Sequence, residues 1–245
     1  ESGKKIRGVV SYVDGYGTNE SLSSSASAIE ADTKKLTIRG NSIYTIVDGP
    51  SWTQAEANSV KLGGHLITIN NAYESDQVFK NVALDASGKI KGWGYWTGYT
   101  DAEIEGTWKW SSGEPTSFVL PGWDPILGAQ GRAEPNGNSD HMIIVTRDNI
   151  GQTLDQYYAS RGGYSAYIST GGPGWDDDTR ADFGIAETPF IRRGDSAYVI
   201  VQGPTWEEAE ANAIKLGGHL VTINDAAENE WIASLAGGLQ DFGIY

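Results

Sequence analysis

The chain has no cysteine and one methionine in 245 residues. Without cysteine there can be no disulfide and no thiolate-bound zinc. That absence does not establish a reducing compartment. It does mean that a secreted domain of this sequence needs a different staple, and a bound cation such as Ca²⁺ is one. Basic residues are also scarce: 18 Lys and Arg stand against 32 Asp and Glu, a net charge of −14. Nucleic-acid binding depends on phosphate neutralisation by basic side chains, so this balance argues against it. It suits a solvated acidic surface or cation binding. No apolar run approaches the roughly 20 residues of a membrane-spanning helix. There is no glycine-rich phosphate loop, no Ser-His-Asp order and no cysteine nucleophile, so an enzyme finds little support. The chain starts with Glu, shows no signal peptide and is expected to be cut at both ends.

What is present is aromatic and repetitive. Nine Trp, twelve Tyr and 39% hydrophobic residues supply a sizeable core for one or two domains. Residues 41–70 read NSIYTIVDGPSWTQAEANSVKLGGHLITIN, and residues 195–224 read DSAYVIVQGPTWEEAEANAIKLGGHLVTIN. At an offset of 154, 20 of these 30 positions are identical. The chain therefore contains an internal repeat. The second copy stops about one third of the way through and lacks a counterpart of residues 96–190. Three zones follow: residues 1–38, a complete unit over 39–191, and the opening of a second over 192–245. The boundary is expected at the short polar stretch Arg192-Arg193-Gly194-Asp195.

The pattern predicts a strand at Ile6–Val10, a turn at Asp14-Gly15, and a strand at Tyr44–Val47. A helix follows, started by a capping-box pair, Ser51 with Gln54, which Thr205 and Glu208 repeat. Trp52, Ala55, Ser59 and Leu62 recur at helical spacing, and Gly63-Gly64 ends the helix. A strand is expected over 65–69. A second helix opens at Asn71 and Glu74 and turns Val78, Phe79 and Val82 inward. Short strands then follow at Trp93–Tyr99, Thr107–Trp110 and Met142–Thr146. Long Gly, Pro, Asp and Asn loops separate them, which makes the unit an α+β domain. Trp52, Trp93, Trp96, Trp108 and Trp110 are expected in the core. His65 and His219 hold matching places in the two copies and read as structural.

Two short pieces carry the chemistry, Glu134-Pro135-Asn136 and Trp175-Asp176-Asp177. Carboxylate and amide oxygens in loops suggest a cage of hard ligands, which suits Ca²⁺ with its roughly 6–8 oxygens. Paired acids also serve glycoside hydrolysis, which would require turnover.

The stretch YWTGYTDAEIEGTWKWSSGEPTSF (95–118) resembles the C-type lectin signature. Trp96, Gly98, Asp101, Glu105, Gly106, Trp108, Trp110, Gly113 and Pro115 hold its places. GGHLITIN upstream, and the two acidic pieces downstream, follow in the family's order. The resemblance implies a C-type lectin-like fold of two helices, short antiparallel strands and a long Ca²⁺-binding loop region. It implies Ca²⁺ ligands at Glu134, Asn136, Asp140, Asp176 and Asp177, with Pro135 in cis. It also implies a sugar bound directly to the ion, contacting Glu134, Asn136, Asp140 and Asp176. The Glu-Pro-Asn order resembles the mannose, glucose and fucose type. Glu114-Pro115 belongs to the scaffold.

Asp176 departs from the family's usual Asn. A carboxylate adds charge for the ion but cannot donate to a sugar hydroxyl. The stretch 147–174 is long for a loop, and its Tyr157, Tyr158, Tyr164 and Tyr167 are expected to flank or cover the site. GKKIRGVVSYVDGYGTNESLSSSASAIE (3–30) resembles the closing half of an immunoglobulin-like repeat of large bacterial surface proteins. Together these resemblances imply a glycan-binding, non-enzymatic module of a secreted or surface adhesin. The alternative is a lectin-like protein-binding or structural repeat.

Overall fold

The computed structural model describes the backbone at 5–6, 9–13, 19–23 and 27–28, and then residues 37–116, 139–146, 149–163 and 174–236. The chain divides into two units, Glu1–Lys35 and Leu36–Tyr245. In the first, strand β1 (Lys5–Ile6) pairs with β4 (Ser27–Ala28), and β2 (Val9–Val13) pairs with β3 (Asn19–Ser23), both antiparallel. The single strand expected at Ile6–Val10 is thus two strands. The Asp14-Gly15 turn lies outside the described residues.

The second unit begins with a hairpin, β5 (Thr37–Arg39) and β6 (Ser42–Asp48), turned at Gly40 with φ 58°. Helix α1 (Trp52–Lys61) follows, and Ser51 caps it by accepting from the Gln54 amide at 3.3 Å. Gly63, at φ 85°, ends the helix in the left-handed conformation that glycine adopts without steric cost. Strand β7 is only His65–Leu66. The rest of the expected strand, through Ile69, runs as extended chain: Ile67 N donates to Ile185 O at 2.8 Å and Gly98 N to Ile67 O at 2.9 Å. Helix α2 (Ala72–Val82) is capped by Asn71, which accepts from Glu74 N at 2.8 Å. Its Val78, Phe79 and Val82 are buried as expected.

The sheet is completed by β8 (Gly94–Thr100), β9 (Lys109–Trp110), β10 (His141–Val145), β11 (Gly174–Asp177) and β12 (Phe183–Pro189). Strand order is β11-β10-β8-β12-β6-β5, with β7 on β12 and β9 on β8. Only the β12–β8 pairing is parallel; the others are antiparallel. Between β10 and β11 sits α3 (Leu154–Ser160), opened by a full capping box of Thr153 and Gln156. This helix was not expected. Its Tyr157 is buried in the core against Phe79, with ring centroids 5.6 Å apart, and is not poised over a site. Tyr164 and Tyr167 lie outside the described residues.

Adjacent strand residues face opposite sides of a sheet, and the core divides accordingly. Tyr44, Tyr95, Met142, Ile144 and Ile185 join α2 and α3 on one face. Ile43, Trp96, Ile143, Val145 and Ala186 join α1 on the other. Both faces are thus covered, and every residue of β8 is buried. Trp96 and Trp110 are core; Trp52, Trp93 and Trp108 are partly buried and pack on its edge.

The second copy reproduces these local elements. Hairpin β13 (Ile191–Arg193) and β14 (Ser196–Tyr198) turns at Gly194, α4 (Trp206–Lys215) is capped by Thr205, and α5 (Ala226–Ala236) follows. Arg192-Arg193-Gly194-Asp195 forms the tight turn of this hairpin. The join between the copies is Phe190 alone, because β12 ends at Pro189 and β13 begins at Ile191.

His65 and His219 are structural, as expected. His65 Nδ1 meets Glu56 Oε1 at 2.6 Å, and His219 Nδ1 meets Glu210 Oε1 at 2.6 Å. Hydrogen bonding to Glu56 raises the His65 pKa above the ordinary 6.5, against an opposing effect of burial. The folded state then holds a proton that the unfolded state has released. This contribution is fully present below the unfolded value and is lost as pH rises through the folded one. We expect Tm to decline over that upper window, and His65→Gln to remove this part of the decline. Tm measured across the neutral to mildly alkaline range checks this; an unchanged slope in the variant would count against the assignment.

Candidate functional site

Three of the five expected ligand positions can be located. Asp140 precedes β10 and is exposed, and its carbonyl accepts from Thr100 Oγ1 at 2.7 Å and from Asp101 N at 3.1 Å. Asp176 and Asp177 end β11, at 8% and 0% exposure. Antiparallel pairing sets Asp177 opposite Met142 and Asp176 opposite Ile143. This register carries the end of β11 to the start of β10, where Ser139 N donates to Asp177 Oδ2 at 3.4 Å. Glu134 and Asn136, with Pro135, lie outside the described residues. Among the described residues no three His, Cys, Asp or Glu side chains stand together as a metal cluster. The sheet thus brings Asp177 to the Ser139-Asp140 turn but does not by itself assemble a cage.

The donor chemistry suits a hard cation. Asp140, Asp176 and Asp177 offer oxygen donors, the kind Ca²⁺ takes.

Beside Asp140 lies an open cleft of about 370 Å³, lined by Ser51, Trp52, Ser139, Asp140, His141 and Thr179 among others. His141 stacks on Trp52 with centroids 4.4 Å apart and planes at 5°, and meets Trp96 edge-on at 6.1 Å. Burial lowers the His141 pKa below the ordinary 6.5, against the raising effect of Asp140 and Asp101, and Nδ1 lies 2.9 Å from Thr100 Oγ1. Sequence reasoning placed Trp52 in the core and did not single out His141. The cleft was missed because Trp52 and His141 are far apart in the chain and meet only through the packing of α1 beside β10.

The signature residues after β8 form scaffold. Trp96 Nε1 donates to Gly49 O at 2.9 Å, and Asp101 Oδ2 accepts from Gly106 N at 2.8 Å, closing the turn. Glu114 accepts from Asn70 Nδ2 at 3.4 Å.

Residues 48–149 match the family model described as "Lectin C-type domain". The chain is 32% identical over 107 residues to C-type lectin domain family 6 member A of Mus musculus, covering 43% of this chain and 44% of that protein. It is 32% identical over 109 residues to the galactose-specific lectin nattectin of Thalassophryne nattereri, covering 42% of this chain and 65% of that one. The structure of human lithostathine aligns at 17% identity and TM-score 0.43, over 66% of this chain and 92% of that one. The chain spans less than two thirds of the length of these curated relatives. The unit over 39–191 has a C-type lectin-like fold, and the matched relatives carry the lectin names given above. No described helix is long and apolar enough to cross a membrane.

Proposed function

We propose that the unit over 39–191 is a Ca²⁺-dependent carbohydrate-binding module of a secreted or surface adhesin, bacterial in setting. The observation that carries this is the pair of buried carboxylates, Asp176 and Asp177, at the strand ends beside Asp140. Glu134-Pro135-Asn136 precedes this turn in the chain and supplies the remaining donors of the reading. When bound, Ca²⁺ would offer coordination positions to two neighbouring sugar hydroxyls. The protein's part is to orient those hydroxyls: Glu134, Asp140 and Asp176 accept from them, and the Asn136 amide donates. Asp177, more buried than Asp140 and Asp176, holds the cation side of the site.

The Glu-Pro-Asn order favours mannose, glucose or fucose, in contrast to the galactose preference in the fish relative's name. The disulfide-free composition and the N-terminal resemblance support the bacterial setting, whereas the named relatives are animal proteins. The second reading is a lectin-like protein-binding or structural repeat. The lack of a three-acid cluster among the described residues favours it.

Calorimetric Ca²⁺ titration of the chain and of Asp177→Asn tests the proposal. The expected result is one saturable site, lost in the variant, with the fold retained because Asn keeps the side-chain shape. No binding by the parent chain, or equal binding by the variant, would move the reading to the protein-binding alternative.

A further inference from the structure

We propose that the first copy carries a built dock for the copy that follows it, so that consecutive repeats form a stiff pair with one fixed orientation. Domains joined by a linker move by default unless a well-packed interface holds them. Here the linker is one residue, and it is buried: Phe190 is 6% exposed and packs in the same cluster as Ile43, Leu62 and Leu216 of the second copy. Its amide donates to Asn41 O at 2.8 Å, in the turn between β5 and β6. The first segment after β14 then lies along the end of α1, where Gln202 N donates to Lys61 O at 2.9 Å. Val199 and Val201 pack on the same cluster.

Gly63 completes the dock. A Cβ at this position would lie 2.2 Å from Ile200 O and 3.1 Å from Val199 Cγ1. The bare glycine backbone that ends α1 is thus also the surface on which the second copy rests. The Phe190 bond anchors the linker to the first copy, while the apolar packing, the Gln202–Lys61 bond and the approach at Gly63 join the two copies. A hinge at Phe190 would have to break them together. Lys215-Leu216-Gly217 repeats the acceptor sequence Lys61-Leu62-Gly63, so the second copy carries the same acceptor residues. The consequence for binding is fixed spacing: ligand sites on docked repeats would keep one separation, which favours a surface that displays its ligands at that separation. The dock does not depend on the Ca²⁺ reading.

The chain has no cysteine, so Ala57→Cys with Ala211→Cys places two thiols for spin labels at matching exposed positions of α1 and α4. Pulsed electron–electron resonance on the full chain is expected to give a single narrow distance. Val199→Lys in that background, which puts a charge into the dock, is expected to broaden the distribution severalfold while helix content by circular dichroism stays constant. Gln202→Pro, which removes the N–H donated to Lys61, should broaden it independently. A broad distribution in the parent protein would overturn the proposal. So would a narrow one that survives both substitutions, since the contacts named here would then not be what holds the pair.

Discussion

Ile69→Ala is expected to destabilise the protein by about 2–5 kcal/mol, while Ile223→Ala, the same change in the same Thr-Ile-Asn sequence 154 residues later, is expected to stay within about 0.5 kcal/mol. Ile69 is 1% exposed and lies in the cluster with Tyr44, Phe79, Tyr99 and Trp110. Removing its side chain leaves a cavity that close-packed neighbours cannot fill, which adds to the lost transfer free energy. Ile223 is 49% exposed, because among the described residues no strands equivalent to β8, β10 and β12 cover its side of the second copy. There is little burial to lose. Thermal unfolding of the two variants decides the matter. Equal losses would mean that the apolar side of the second copy is covered in solution.

Gly64→Ala should cost about 3 kcal/mol or more, while Gly218→Ala should be close to neutral. A Cβ at Gly64 would stand 2.0 Å from Glu187 O and 2.8 Å from Thr188 Cα. These are backbone atoms of β12, which pairs with β6, β7 and β8, so relief requires prising a central strand from the helix end. A flexible side chain could step aside; this backbone cannot without breaking its ladder. At Gly218 the nearest atom to the added methyl is Ala213 O at 4.0 Å, an ordinary contact. Neither glycine has a positive φ, so the comparison isolates space from backbone strain. Urea midpoints with unchanged slopes would check it. A mild Gly64→Ala would show that α1 and β12 are less tightly apposed than described.

These pairs also explain which parts of the molecule could be read from the chain. Capping at Ser51, Asn71 and Thr205 depends on residues three apart, and each cap forms. The capping box was only half realised at Ser51, where the N-cap side chain accepts but no return bond from Gln54 closes the box. The complete one, Thr153 with Gln156, went unread because it sits in a polar stretch whose tyrosines suggested a loop. Tyr157 reached the core through α3, and nothing within its own segment announces the space beside Phe79 that receives it.

The candidate site was legible as a set of residues and not as a place. Trp175-Asp176-Asp177 stands out in the sequence, but its position opposite Met142 and Ile143 depends on strand register across a long intervening stretch. The cleft beside it unites Trp52 and His141, 89 residues apart in the chain. The hairpin that opens the second copy went unread for a related reason. Arg192-Arg193-Gly194-Asp195 has the polarity of a linker, yet Gly194 at φ 61° is the hairpin turn that Gly40 makes in the first copy.

The repeat separates the two sources of information cleanly. Nearly the same thirty residues occur twice, and whatever depends on near neighbours recurs: the helices, their caps, the glycine ends and the Glu-to-His contact at 2.6 Å in each copy. Those bonds close over ten residues or fewer, so the sequence alone determines them. Burial beyond the helix does not recur. Leu66 and Ile69 are enclosed while Leu220 and Ile223 are not, because enclosure comes from strands some thirty to one hundred and twenty residues further along, which only the tertiary structure brings back onto the helices.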